Sequence, residues 1–371
     1  MNKLDILVIG GGIGGLTSAI ALCKAGHNVT VIERDPNWSV YGVGIIQQSN
    51  VLSAARELGI LDGYLAAGVG FDAVEIFLPN GQKVARIPGH PVAPGLPANM
   101  GIGRPALHKL LGDTAKDAGA QIRLGITAAS IEDTGDAVNV TFSDGSRGTY
   151  AIVIGADGVY SQTRKTIMPD APGPQFTGQA VWRYNFPRPA DLDALQVYNG
   201  PTGVGFVPIS ADLMYMYVTT PEPDNPWYPK EGIAAAMRGK LANTAPAVQA
   251  LAEQITDDEG VVYRPLEGMM LYGDWHVGRV VLIGDAVHAT TPHLGQGAGM
   301  AIEDSIVLAD EIAKAASPAE AFTAFRNRRF ERCRFIVEKS LEICHGQIGK
   351  GPPVDNAKAT QEMFAVVSQP I

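Results

Sequence analysis

An apolar run from Leu4 to Ile9 breaks into Gly10-Gly11-Gly12-Ile13-Gly14-Gly15, and a helix-period segment through Leu16, Ala19, Ile20 and Cys23 follows at once. Few chains can satisfy that order other than as strand, tight turn and helix. Gly10, Gly12 and Gly15 fit G-x-G-x-x-G, and Glu33 closes the next apolar run, Asn28 to Ile32. Alone, the glycine spacing describes any structural turn. With strand, helix and acid in register it describes a dinucleotide site. Gly10 permits the turn, Gly12 lets backbone approach a pyrophosphate, and Gly15 lets helix pack on strand. The helix start offers unpaired N–H groups and the positive end of its dipole to phosphates. Glu33 is placed to accept from ribose hydroxyls. Gly14 within the loop and Arg34 beside Glu33 complete the expected set.

A chain of 371 residues is long for one core and suits two intergrown domains. A formal charge of −9 argues against a general nucleic-acid binder, although the cluster Arg326-Asn327-Arg328-Arg329 is locally basic. The three cysteines, Cys23, Cys333 and Cys344, form no C-x-x-C, which excludes a disulfide scaffold and a zinc site. No metal is expected. The first residues run directly into a strand and no run of 18 apolar residues occurs. The expectation is a soluble cytoplasmic protein with no membrane partner.

Gln48 to Leu58 has helical period, and Pro105 to Ala118 places Leu107, Leu110, Leu111 and Ala115 on one stripe. Ala73 to Ile87 reads as a hairpin turning at Asn80-Gly81. A second hairpin pairs Ala137–Phe142 with Thr149–Ile154 across Asp144-Gly145. His90 to Pro97 is a proline-rich loop, and Gln179 to Thr220 is aromatic and β-branched, the pattern of an antiparallel sheet. Lys230 to Glu253 carries two short helices; Arg279 to Ile283 is a buried strand; Gly295 to Ala315 and Pro318 to Gly346 are long helices, the second capped by Ser317. The tail from Gly349 reads as an irregular strap. The fold class is α/β: a Rossmann-like nucleotide domain with an inserted, mainly antiparallel sheet domain and C-terminal helices. The expected divisions are residues 1–72, 98–178 and 264–310 for the first, 73–97 and 179–263 for the second, and 311–371 for the helical segment and tail.

Two further motifs follow. Gly155-Ala156-Asp157-Gly158 ends a strand on an acid, with Ser161 placed to cap a helix containing Arg164. Later, Gly278 to Gly284 presents Asp285 at a strand's carboxyl end, and Thr291-Pro292-His293-Leu294-Gly295-Gln296-Gly297-Ala298-Gly299 bends into a helix. The ordered trio resembles the class A flavoprotein aromatic hydroxylases, the family of para-hydroxybenzoate, salicylate and 6-hydroxynicotinate hydroxylases, over roughly residues 4 to 335. The resemblance implies FAD as the bound dinucleotide, with Arg104 and Asp285 on the flavin chain and Asp157 supporting FAD and nicotinamide handling. It implies NAD(P)H as a transient reductant, O2 as co-substrate, and a flavin C4a-hydroperoxide that hydroxylates a phenolic or N-heteroaromatic ring. Gly295, Gly297, Ala298 and Gly299 would turn backbone donors toward the flavin. Pro292 would line the oxygen-reacting face with its carbonyl toward the substrate.

A phenolic substrate reacts better once deprotonated, so a base or relay is expected. Tyr215 and Tyr217 alternate on one strand and face the same side; His293 adjoins Pro292. Gln47 and Gln48 can orient polar groups but cannot be bases. Arg183 suits a substrate carboxylate, a phosphate or solvent. His288 reads as a packed or capping histidine, and Glu303 and Asp304 as serving their helix or its surface. Alternatives are a tailoring or inactivating monooxygenase for a polycyclic natural product and a non-catalytic flavin-binding protein. A homodimer is possible, with the Pro318–Gly346 helix as its contact.

Overall fold

Parallel strands at the centre of the molecule set the position of everything else. The structure is a computed structural model and describes residues 3–40 and 42–371; Met1, Asn2 and Tyr41, within the first expected stretch, lie outside the described residues. Strand Asp5–Ile9 pairs in parallel with Asn28–Glu33 on one side and Ile152–Gly155 on the other. The six-stranded sheet extends to Gln121–Leu124 at one edge and to Val280–Leu282 and His276–Val277 at the other. Ile6, Leu7 and Val8 are fully buried, as expected of a strand covered on both faces. Helix Ile13–Lys24 packs on this sheet, and the long helix Gly297–Lys314 packs against it.

A second sheet has seven strands, in the spatial order Val262–Gly268, Gln175–Pro187, Leu213–Pro221, Gly203–Pro208, Leu195–Tyr198, Ala73–Phe77, Lys83–Pro88. All its pairs are antiparallel except Leu195–Tyr198 with Ala73–Phe77. Helices Ile233–Lys240 and Pro246–Ala252 cover one face, burying Trp182, Phe206, Met214, Met216 and Val218 with Ile233, Met237 and Val248. The opposite face looks back toward the glycine loop. A small sheet of Gly44–Gln48, Asn99–Gly103 and Gly68–Phe71 lies between the two. The first hairpin forms as read, with Gly81 at φ +89° in its turn.

Two expectations are corrected. The second hairpin's return limb is not continuous: Arg147–Tyr150 pairs antiparallel with Val138–Phe142, whereas Ile152–Gly155 leaves to join the parallel sheet. Both limbs carry β-branched residues, so composition could not separate them. The tail is not an irregular strap. Asn356–Val367 is a helix, capped by the Asp355 carboxylate accepting from Ala357 and Lys358 N–H, and it buries Ala359, Met363, Phe364 and Val367. The prolines at 352 and 353 end before this cap and drew attention from the apolar stripe behind it.

Candidate active site

The glycine loop is shaped by close approach. A Cβ on Gly15 would meet the Gly10 carbonyl oxygen at 1.9 Å, which no side chain can tolerate, and Gly10 itself sits at φ +114°. These two glycines seat the helix on the strand. Gly11, Gly12, Ile13 and Gly14 instead line a cavity of about 770 Å³. Glu33 lines it too, its carboxylate accepting from Gly11 N–H and Asp35 N–H, both at 2.9 Å. The Gly11 carbonyl accepts from Trp38 Nε1 at 2.9 Å and lies 3.0 Å from His108 Nε2. Trp38 and His108 also line the cavity and were not singled out in the sequence; neither belongs to a motif. Arg34 is exposed and lies outside the lining.

Asp157 is spent locally. Its carboxylate accepts from Ser161 Oγ at 2.5 Å and from Thr163 N and Oγ1 at 2.9 and 3.0 Å. Its neighbours Ala156 and Gly158 reach the cavity and it does not. Asp157 therefore shapes a wall of the cavity, its oxygens held by the turn that follows it. Ser161 caps helix Gln162–Ile167 as read, and Arg164 donates to the Ala286 and Val159 carbonyls, tying this turn to the Asp285 turn.

Asp285 opens onto the cavity from the end of strand Val280–Leu282. Its side chain is open to the cavity but ringed by protein, and that enclosure raises its pKa against the pull of His288 and Arg104. Arg104 starts helix Arg104–Asp117 and faces the same space. Burial lowers the pKa of its guanidinium, with Tyr215 and Asp285 opposing. Among the described residues, neither Arg104 nor Arg183 forms an ion pair, and both line the cavity. Arg183 is brought down to about 10 by burial and by Arg104, and stays cationic at neutral pH.

At the opposite wall, Gly295, Gly297 and Ala298 line the cavity where helix Gly297–Lys314 begins. The first helical hydrogen bond runs from Met300 N–H to Gln296, so the N–H groups before it have no intrahelical acceptor. Gly299 packs behind them against Gln296 and Val51. Gln296 does not cap this helix; its amide bonds Gln48 at 2.7 Å and Asn50 at 3.1 Å. Gln48 also donates to the Leu294 carbonyl at 3.0 Å. Of the two glutamines, Gln48 lines the cavity with its amide engaged by the bend, and Gln47 does not reach it. Gln48 braces the glycine bend, and Gln47, one residue earlier and on the other face of the strand, is buried against the Tyr64 hydroxyl.

Pro292 opens a short 3-10 turn on the cavity, and its carbonyl accepts from Gly295 N–H at 3.0 Å. That bond occupies one of the two acceptor positions of the oxygen expected to face the substrate. His293 Nδ1 lies 2.9 Å from Thr291 Oγ1 and Nε2 lies 3.1 Å from Gln347 Oε1. Burial pushes its pKa down to about 4, so the ring is neutral at pH 7. Tyr215 and Tyr217 face the cavity together, ring centroids 6.3 Å apart. Tyr217 lies flat over Gly205, where any Cβ would meet its ring at 2.1 Å. Burial raises Tyr215 to about 12 and raises Tyr217 further, so both remain phenols that can donate a proton and are no bases by themselves. Glu303 and Asp304, expected to serve their helix or its surface, are not at the surface but buried among Arg329, Arg332 and His288. His288 is a packed histidine, as read.

Phosphate-ready glycines, unpaired cations, a free helix start and a cavity running to two tyrosines fit a flavin dinucleotide. The comparisons with known proteins agree. Residues 3–322 match the family model described as FAD binding domain. The chain belongs to the FAD-dependent aromatic monooxygenases. The enzyme is 33% identical to a 6-hydroxynicotinate 3-monooxygenase of Bordetella bronchiseptica, over 91% of each chain. It is 31% identical to a 2-heptyl-3-hydroxy-4(1H)-quinolone synthase of Pseudomonas aeruginosa, over 94% of its own length and 90% of the relative's. Its fold superposes with a TM-score of 0.84 on HpxO of Klebsiella pneumoniae in complex with FAD and uric acid, at 25% identity, covering 98% and 92% of the two chains. The monooxygenase uses FAD, and no described helix is long and apolar enough to cross a membrane.

Proposed function

We propose that this monooxygenase takes electrons from NAD(P)H and inserts one atom of O2 into a hydroxylated aromatic or N-heteroaromatic ring, the second atom leaving as water. The observation that carries this is a single continuous cavity. It joins the glycine loop, Asp285, Arg104 and the start of helix Gly297–Lys314 to Tyr215, Tyr217, Pro292 and His293. When bound, FAD supplies the hydride acceptance and oxygen activation that no side chain here could provide.

Each residue then has a definable task. Gly12 and Gly14 leave room for the pyrophosphate, and Glu33 already orients the loop backbone beside the ribose position. Arg104 offers a cation to the phosphates or the flavin chain, and Asp285 accepts from the ribityl hydroxyls. Gly297 and Ala298 direct N–H groups toward the pole of the ring system that becomes negative on reduction, and Gly295, whose own N–H is given to the Pro292 carbonyl, makes the bend that places them. Pro292 leaves an N–H-free, apolar surface beside the reacting face. Tyr215 and Tyr217 hold or pass the proton of the substrate hydroxyl, and neutral His293 relays it, one ring nitrogen taking a proton as the other gives one up, so that its charge does not change. The seven-stranded sheet serves as the substrate domain. Supply of NAD(P)H favours a cytoplasmic location, and a homodimer is the assembly we expect.

The test is direct. Purified enzyme should be yellow, and a hydroxylated benzoate, pyridine or phenol should accelerate NADH or NADPH oxidation and gain one oxygen in mass. Oxidation that never depends on any aromatic, with no product of added oxygen, would reject the reading in favour of a non-catalytic flavoprotein.

A further inference from the structure

The cavity-facing side of the seven-stranded sheet is chemically graded. Strand alternation places Arg264, Val181, Arg183, Tyr217, Thr219, Leu195, Val197, Val74 and Ile76 on this one side. Read across the strands, the floor begins with two arginines, passes the tyrosines and Gly203, and ends in aliphatic side chains. Val74 pairs with Leu195 and Ile76 with Val197, so the four form one contiguous patch on the sheet's single parallel pair. Glu75 and Gln196, between them, point to the other side, where Glu75 binds Lys83 and Arg86. Ile46 packs with the patch from the small sheet, and Met363 and Phe364 of the C-terminal helix line the same cavity. At the rim Asn356 Nδ2 donates to Asn199 Oδ1 at 3.0 Å.

Among the described residues this end offers an incoming ligand no charged partner. A carboxylate or ammonium placed there would lose its hydration for nothing, a cost of several kcal/mol. An aliphatic group would gain with each carbon buried. We propose that the substrate is an aromatic ring carrying an uncharged apolar extension, and that Val74, Ile76, Leu195, Val197, Met363 and Phe364 form the arm that receives it. This rests on the monooxygenase reading and narrows it to a substrate class.

The experiment uses the FAD-loaded enzyme and a ladder of probes: phenol, 4-ethylphenol, 4-butylphenol and 4-hexylphenol, with 5-(4-hydroxyphenyl)pentanoate as the charged counterpart. Binding is read from the perturbed flavin spectrum. Kd should fall roughly three- to fourfold per added methylene, and the charged probe should bind at least tenfold more weakly than 4-butylphenol. Val197→Asn should flatten the chain-length dependence. Phe364→Ala provides a second, milder variant with the same expected direction, flavin content confirming that each is folded. A Kd that ignores or rises with chain length, or tighter binding of the carboxylate, overturns the inference while leaving the hydroxylase reading intact. If no probe perturbs the flavin and no aromatic stimulates NAD(P)H oxidation, the functional reading fails and this inference falls with it.

Discussion

Asp304 and Arg329 are joined by a 2.8 Å bond between Oδ1 and Nε, with both side chains fully buried. They lie on successive helices, Gly297–Lys314 and Pro318–Gln347. The other Asp304 oxygen accepts from Gly284 N–H at 2.9 Å and lies 2.7 Å from His288 Nε2. One carboxylate thus fastens two helices to the turn that presents Asp285. Gly284 holds that turn at φ +59°, and a Cβ there would stand 3.1 Å from Ala301.

Asp304→Asn should therefore destabilise the fold and loosen FAD together. Removing one partner of a buried pair strands the other charge and typically costs about 3–5 kcal/mol. Thermal unfolding with and without added FAD measures both effects. Burial opposes the Asp304 charge, but His288 and Arg329 hold its pKa at about 2, below the ordinary 3.8. Its contribution is thus complete above about pH 4 and is lost as pH falls toward 2. The variant should lack that part of the acid limb.

Asp285→Ala should lose bound flavin. The residue contributes an acceptor to the cavity and no hydrogen bond to the turn, so secondary structure should survive while the yellow colour fades. A variant that stays fully yellow with unchanged FAD affinity would remove Asp285 from the cofactor site.

Tyr217→Phe and Tyr215→Phe should slow oxygen insertion by about 100- to 1,000-fold, in the lower part of the range for one proton-transfer group, and slow flavin reduction far less. Rapid mixing separates the two half-reactions. Equal rates in both for both variants would exclude the tyrosines from the chemistry.

His293 should titrate outside the physiological range. Its folded pKa of about 4 lies below the ordinary 6.5, so the unfolded chain binds the proton first. Stability is then complete above about pH 6.5 and declines as pH falls to about 4. His293→Gln should show a shallower decline on acid unfolding. Between pH 6 and 8 the activity profiles of the two should run parallel; a step present only in the parent would mean that His293 changes charge during turnover.

Local sequence determined the nucleotide half of this molecule. Gly10, Gly15 and Glu33 act within one strand–turn–helix–strand, where each requirement is met by a neighbour in the chain, so residue type and spacing suffice. The caps at Ser161 and Ser317 are legible for the same reason. Tertiary structure decided the rest. Asp157 and Gln48 look like ligand contacts in sequence, but the fold spends their polar atoms on Thr163 and Gln296. Glu303 and Asp304 carry the pattern of a solvated helix face until Arg329 and Arg332 arrive from the next helix. Val74 and Val197 become one wall only because a parallel pairing joins strands more than a hundred residues apart. Backbone geometry acts over a few residues and can be read from spacing. Burial and charge pairing depend on which distant segments meet, and only the packed chain fixes that.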